Sequence, residues 1–198
     1  LDRAENDAFI TIARHFRSKG INVPEVLAVS GDRMRYLQED LGNDILFERY
    51  AEGGVSEEDE TVLCEAMSLL PQMQIEGAEG LDFSVCYPQP AFDMRMVMFD
   101  LDYFKYCFLK PSGLEFNEVL LQDDFERYAE DLLACSGDVP SFLYRDFNAR
   151  NVMVHDGRPY FIDFQGGRKG PVYYDVASFI WHARSGFSER LRERMLDS

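Results

Sequence analysis

The 198-residue sequence carries 36 acidic against 20 basic side chains, a formal net charge of −16. Such a surface repels phosphate backbones and argues against nucleic acid as a partner, and no apolar run approaches the roughly 18–20 residues that span a bilayer. Apolar content of 46% and aromatic content of 14% mark a folded globular chain, long enough for one domain or two small lobes.

The chain opens on LDRAEN without Met and enters a helical pattern at once, so it is expected to be part of a longer polypeptide. Ala4, Ala8, Phe9, Ile12, Ala13 and Phe16 recur at three-and-four spacing, which predicts an amphipathic helix over 2–19 with Gly20 as its stop. Pro24 favours an extended start for a strand over 25–30, and GDRM (31–34) reads as a turn leading into a second strand, RMRYLQED (33–40). Gly42-Asn43-Asp44 breaks that strand, and a helix is expected to open at Asp44. Gly53-Gly54 is a further break. Ser56 with Asp59 and Glu60 marks the start of a helix running to about Gln74.

Residues 76–91 read as loop, the aromatic stretch 92–110 as a helix, and 119–135 as another. After Pro140, two short β-type runs, FLY and VMV, flank a polar segment. Asp156-Gly157 is a tight-hairpin signal, PYFIDF the return strand, GGRKGP a loop, and YDVASFIWHA the start of a helix. A charged helix ends the chain. The order of elements predicts an α+β protein with a helical bulk. The four cysteines form no C-x-x-C pair and the three histidines are scattered, so reduced thiols are expected rather than a disulfide framework or a zinc site.

The segment FLYRDFNARNVMV (142–154) sets Arg145, Asp146, Asn148, Arg150 and Asn151 between apolar flanks, far more polarity than a turn needs. The hairpin that follows brings Asp163 back beside Asn151, so Asp146, Asn151 and Asp163 are expected to converge at one edge of a small sheet. Phosphoryl transfer needs such a set. A carboxylate and an amide oxygen are hard ligands for magnesium that stays on nucleotide phosphates, and a second carboxylate orients the acceptor hydroxyl and takes its proton. Capping and turn roles around a hairpin are the plainer alternative for each of the three alone.

YRDFNARN is similar to the catalytic loop of kinases and IDF to their metal-binding D-F-G. GPVYYDVAS resembles the segment that follows in the aminoglycoside phosphotransferase and choline kinase superfamily. Within it, these motifs and ENDAFITIARHFRSKGINVPEVL most resemble the kinases that phosphorylate N-acetylmuramate and N-acetylglucosamine at the anomeric hydroxyl. The resemblance implies a protein-kinase-like α+β fold, with an incomplete small lobe over 1–41 and a mostly helical C-terminal lobe over 42–198. It implies ATP and Mg2+ as cofactors, Asp146 as catalytic base and Asn151 and Asp163 as metal ligands. Glu5 matches a helix glutamate that pairs with an upstream lysine. Gln38, Glu39, Asp40 and Leu41 match the hinge that binds adenine, and Asp175 matches an aspartate that braces the catalytic loop.

Three departures stand out. Tyr144 replaces the usual His, Gln165 replaces the Gly of D-F-G, and neither a Gly-rich loop nor a lysine strand precedes the first helix. Candidate substrate contacts are Arg150, Asp100 and Asp102. The aromatic helix around the two aspartates suits a sugar's hydroxyls and C–H faces, while the plainer expectation is that Phe92, Phe99, Tyr103 and Phe104 are core and the aspartates solvated. Arg168 and Lys169, after two glycines, either meet an anionic group in the cleft or lie on an exposed loop. The expected function is phosphorylation of a small-molecule hydroxyl in the cytoplasm, with no membrane or nucleic-acid partner; nothing in the sequence speaks to oligomeric state. A nucleotide-sensing module without turnover and an aminoglycoside- or choline-type kinase are the competing readings.

Overall fold

The computed structural model describes residues 3–135 and 140–198; residues 1 and 2, where the first helix was expected to begin, lie outside them. Helix α1 (Arg3–Ser18) buries Phe9, Ile12, Ala13 and Phe16 along the predicted stripe. A short antiparallel hairpin follows, β1 (Val26–Val29) and β2 (Tyr36–Gln38), with a bulge between Val26 and Ala28. The second strand is shorter than expected, because Arg33 takes a left-handed backbone (φ 59°) and the Ser30 hydroxyl and carbonyl hold the intervening turn.

Helix α2 spans Leu46–Tyr50 and starts two residues later than the sequence indicates. Asp44 does not cap it. Its carboxylate forms a two-point ion pair with Arg49, at 2.8 and 2.6 Å, and its carbonyl accepts from Val154 N–H. Helix α3 (Glu57–Pro71) opens on the predicted Ser56 capping box, completed by Asp59, and a wider helical turn over Gln72–Glu76 extends it. Helix α4 (Met94–Phe104) is capped by Asp93, continues as a wide turn over Lys105–Leu109, and packs against α5 (Glu118–Ala134).

The remaining strands are short. β3 (Phe142–Leu143) pairs with β6 (Arg168–Lys169), and β4 (Val152–His155) with β5 (Arg158–Phe161). The β4–β5 turn has positive φ at both Asp156 (50°) and Gly157 (75°), the two-residue geometry the Asp-Gly signal predicts. Two sequence expectations fail here. The return strand stops at Phe161, short of Asp163, and GGRKGP is not a free loop, since Arg168–Lys169 closes onto β3. Helices α6 (Val172–Ile180) and α7 (Glu189–Leu196) end the chain.

The main core joins α1, α3, the β4–β5 hairpin and α6. Phe164, fully buried, stacks on Phe9 with centroids 5.3 Å apart, and Phe147 stacks on Phe179 at 4.6 Å. These rings anchor the two polar segments that Asp163 and Asp146 occupy. Gly167 is required by the same packing: a Cβ there would stand 2.1 Å from Cζ of buried Phe142 and 2.9 Å from the Leu143 carbonyl oxygen. Gly167→Ala is therefore expected to destabilise the protein by about 1–3 kcal/mol, the cost of overpacking. A thermal melt should read this as a Tm drop of several degrees, whereas an unchanged Tm would mean the β3–β6 pair can open at no cost. The aromatic helix also departs from expectation. Phe92 is core, but Phe99, Tyr103 and Phe104 are exposed.

Candidate active site

Asp146 sits in the tight segment after β3. Its side chain is open to the cleft, and among the described residues no donor bonds its carboxylate and no cation pairs with it. Its backbone carbonyl does the structural work, accepting from Asn151 Nδ2 at 2.8 Å and Asn148 Nδ2 at 2.9 Å. Burial pushes the Asp146 carboxyl above the usual carboxylate range; Arg145 opposes that shift, while Asp163 and Asp100 add to it.

Arg145, immediately before, is held at φ 77°, a conformation rare outside glycine. Asp175 holds it there. From the first turn of α6, this fully buried carboxylate accepts from Tyr144 N–H (2.8 Å), Arg145 N–H (2.9 Å) and Gln74 Nε2 (2.9 Å). Burial pushes Asp175 up to about 7 even so, against the pull of these three donors. Tyr144, where related loops place His, is wholly buried. Its hydroxyl donates to the Ile162 carbonyl and lies 3.2 Å from the Asn151 carbonyl, tying the loop to the segment that carries Asp163. The substitution keeps a polar strut inside the loop.

The hairpin brings Asn151 and the Asp163 segment together as expected: Ile162 N–H donates to the Asn151 carbonyl at 3.0 Å, and Asp163 follows at φ 64°. Its nitrogen is committed to the Asp146 carbonyl, and among the described residues no donor bonds the Asn151 amide oxygen. Asp163 Oδ1 accepts from Gln165 Nε2 at 2.6 Å, and no Lys or Arg among the described residues pairs with it. Gln165, at the unusual position, thus steadies the aspartate.

Two cavities meet at this edge. One, of about 310 Å³, is lined by Glu5, Tyr87, Pro88, Arg145, Asp146, Asp163, Gln165, Gly166 and Arg168. The other, of about 360 Å³, is lined by Gln38 through Gly42 with Met153 and Ile162, so Ile162 and Asp163 carry one wall into the next. Within the second, the Glu39 carboxylate is turned away to the Glu25 N–H and Arg17, and Asp40 bonds the Gly42 N–H. Both acidic side chains of the 38–42 lining are thus engaged within the protein.

Glu5, Asp146 and Asp163 therefore share a cavity, with Asn151 hydrogen-bonded to its floor. Asp100 ion-pairs with Arg145 at 2.9 Å and supports the loop, while Asp102 lines a third cavity that shares Pro88 with the first. Arg150 is not brought to the cleft; its guanidinium lies 4.4 Å from the Phe47 ring centroid. Sequence reasoning missed Gln74 and the Tyr87–Pro88 wall, which lie 101 and 88 residues from Asp175 along the chain and carry no local motif. It also left Arg168 undecided, and the structure buries that side chain completely.

Fold and cleft together are protein-kinase-like, of the aminoglycoside phosphotransferase type. The chain belongs to the phosphotransferase enzyme family, which it matches over residues 2–198. It is 29% identical over 181 residues to the N-acetylmuramate/N-acetylglucosamine kinase of Neisseria meningitidis, covering 89% of this chain and 50% of that one. It thus spans about half the length of the curated relatives it matches. Among solved structures, the ADP-bound aminoglycoside phosphotransferase APH(2'')-Ib aligns with a TM-score of 0.62 at 17% identity, over 98% of this chain and 66% of that one. Choline kinase LicA from Streptococcus pneumoniae aligns at 0.60 and 13% identity, over 100% and 61%. No helix among the described residues is long and apolar enough to cross a membrane.

Proposed function

We propose that the protein transfers the γ-phosphoryl group of ATP, with Mg2+, to a hydroxyl of a small molecule, an amino sugar such as N-acetylmuramate or N-acetylglucosamine. The observation that carries this reading is the shared cavity. An unengaged carboxylate, Asp146, stands across from a second one, Asp163, beside an amide whose oxygen no donor bonds among the described residues. The names of the curated relatives support the sugar, and the ADP-bound structural neighbour supports the nucleotide.

The residues present fit Mg2+. Asp163 and the Asn151 amide oxygen form a hard-oxygen pair with no competing cation, and they would hold the ion while phosphates and water complete its shell. When bound, the ion neutralises charge developing on the transferring phosphoryl group. Adenine would occupy the 38–42 cavity. There the Glu39 N–H is already donated to the Glu25 carbonyl, which leaves the Glu39 carbonyl and the Leu41 N–H for the base. Residues up to Leu41 would form part of the small lobe and residues from Gly42 onward the large one. Glu5 would serve the phosphate side of the cleft. Asp146 would orient the acceptor hydroxyl and accept its proton. An anomeric hydroxyl is more acidic than an ordinary alcohol, so a carboxylate suffices, and catalysis rests mainly on positioning and charge.

The reading is tested by following ADP release from Mg-ATP against N-acetylated sugars, aminoglycosides and choline, with magnesium-dependent ATP binding measured in parallel. Turnover with an amino sugar is expected. Asp163→Asn should abolish the magnesium-dependent part of ATP affinity while binding without the ion persists. Magnesium dependence intact in that variant would remove Asp163 from the metal site.

A further inference from the structure

Arg168 poses a problem that the proposed chemistry leaves unsolved. Its side chain is fully buried, yet it lines the 310 Å³ cavity that also holds Asp146 and Asp163. The register of β6 on β3, Arg168 opposite Leu143, together with the close packing at Gly167, fixes the backbone from which it projects. Guanidinium Nε and Nη2 donate to the Gly166 carbonyl at 3.1 and 2.7 Å, and Nη2 also reaches the Tyr87 carbonyl at 3.3 Å. Nη1 has no hydrogen-bond partner among the described residues. Among the described residues no carboxylate lies within ion-pairing distance of Arg168, and the nearby carboxylate Asp100 is taken by Arg145.

A guanidinium cannot shed its proton to escape burial, so its charge remains and is costly to leave unpaired. Burial and the like charge of Arg145 work against that charge here, and Asp100 and Asp146 offset only part of it. The group matches carboxylate or phosphate oxygens edge-on, by two parallel hydrogen bonds. The Nη1–Nη2 edge, whose one contact is the long Tyr87 bond, is the edge left to an oxyanion. Arg168 does not line the 38–42 cavity; it lines the other with Tyr87, Pro88 and Gly166, on the wall that an acceptor beside Asp146 would meet.

We infer that Arg168 is the anion-binding residue of the acceptor subsite, and that the preferred acceptor is a sugar bearing a carboxylate or phosphate substituent. This rests on the phosphotransferase reading above and narrows it. Of the two sugars in the relatives' name, N-acetylmuramate carries a lactyl carboxylate and N-acetylglucosamine carries none.

The test compares kcat/KM of the full-length wild-type protein for N-acetylmuramate and for its neutral lactyl methylamide, and for N-acetylglucosamine and its 6-phosphate. A charge-assisted contact predicts a ten- to hundredfold advantage, order of magnitude, for an anionic member over its neutral counterpart. Which pair shows the advantage tells carboxylate from phosphate. Arg168→Met should bring that ratio near one, and Arg168→Lys should retain part of it. Equal values within both wild-type pairs would overturn the inference while leaving the kinase reading intact. So would a ratio preserved in Arg168→Met, or a loss in that variant equal for charged and neutral sugars, which would put Arg168 on the transferring phosphoryl group. Absence of turnover with every sugar, despite magnesium-dependent ATP binding, would overturn the amino-sugar reading itself and this inference with it.

Discussion

Asp146→Asn is expected to lower kcat by roughly 10²–10⁴-fold, the range associated with loss of a positioned proton acceptor. The substitution isolates chemistry from structure unusually well at this position. What Asp146 contributes to the fold is its backbone carbonyl, which receives both Asn148 and Asn151, and that group is untouched by the change. Its carboxylate, by contrast, has no bonding partner among the described residues, so an amide of the same shape leaves no donor stranded. Nucleotide affinity and thermal stability should stay close to wild type while turnover collapses. A variant that keeps wild-type kcat would show that the acceptor proton leaves by another route. A variant that loses ATP binding as well would assign Asp146 to the nucleotide rather than to the acceptor.

The second large effect is expected at a residue that touches no substrate. Asp175→Ala strands two backbone donors in the core, the N–H groups of Tyr144 and Arg145, and takes one of two acceptors from the Gln74 amide, which keeps the Val172 carbonyl at 3.0 Å. Each stranded donor costs about 1–3 kcal/mol, so a loss of about 2 kcal/mol or more is expected at mildly acidic pH. The left-handed backbone at Arg145 is also freed to relax, which shifts the neighbouring Asp146, so kcat should fall with stability.

The pH dependence gives this account a sign. Burial holds the folded-state Asp175 carboxyl up to about 7, above its unfolded value near ~4. Between those values the folded state binds more proton than the unfolded one, so the stability Asp175 supplies is greatest below the window and declines as pH rises through it. The stability gap between wild type and Asp175→Ala should therefore narrow from about pH 4.5 to 7.5, measured by denaturant titration. A gap that widens with pH would mean that the three donors outweigh burial and that Asp175 is ionised throughout.

The convergence of Asp146, Asn151 and Asp163 was legible because its parts are local. Asp146 and Asn151 lie on one short loop, and a two-residue Asp-Gly turn sets the return that places Asp163 next to Ile162, the partner of Asn151. The helix stripe of α1 and the Ser56 cap were legible for the same reason. What escaped was non-local or too short for a period. Strand β6 has two residues, held by β3, whose Leu143 lies opposite Arg168, and by the 90–92 segment, whose Pro90 carbonyl and Phe92 N–H bond Lys169. Gln74 meets Asp175 across 101 positions. Aromatic spacing over 92–110 showed a helix but not what covers it, so Phe99 and Tyr103, expected in the core, are exposed. Arg150 matched the loop pattern, yet Phe47 of α2 captures it by stacking.

The most direct measurement is phosphorus NMR of the product formed by the full-length protein from Mg-ATP and an N-acetylated amino sugar. The account predicts a sugar phosphate whose phosphorus couples to the anomeric proton, formed together with ADP and abolished by Asp146→Asn. Bound Mg-ATP that yields no sugar phosphate with any amino sugar, or only inorganic phosphate, would contradict it.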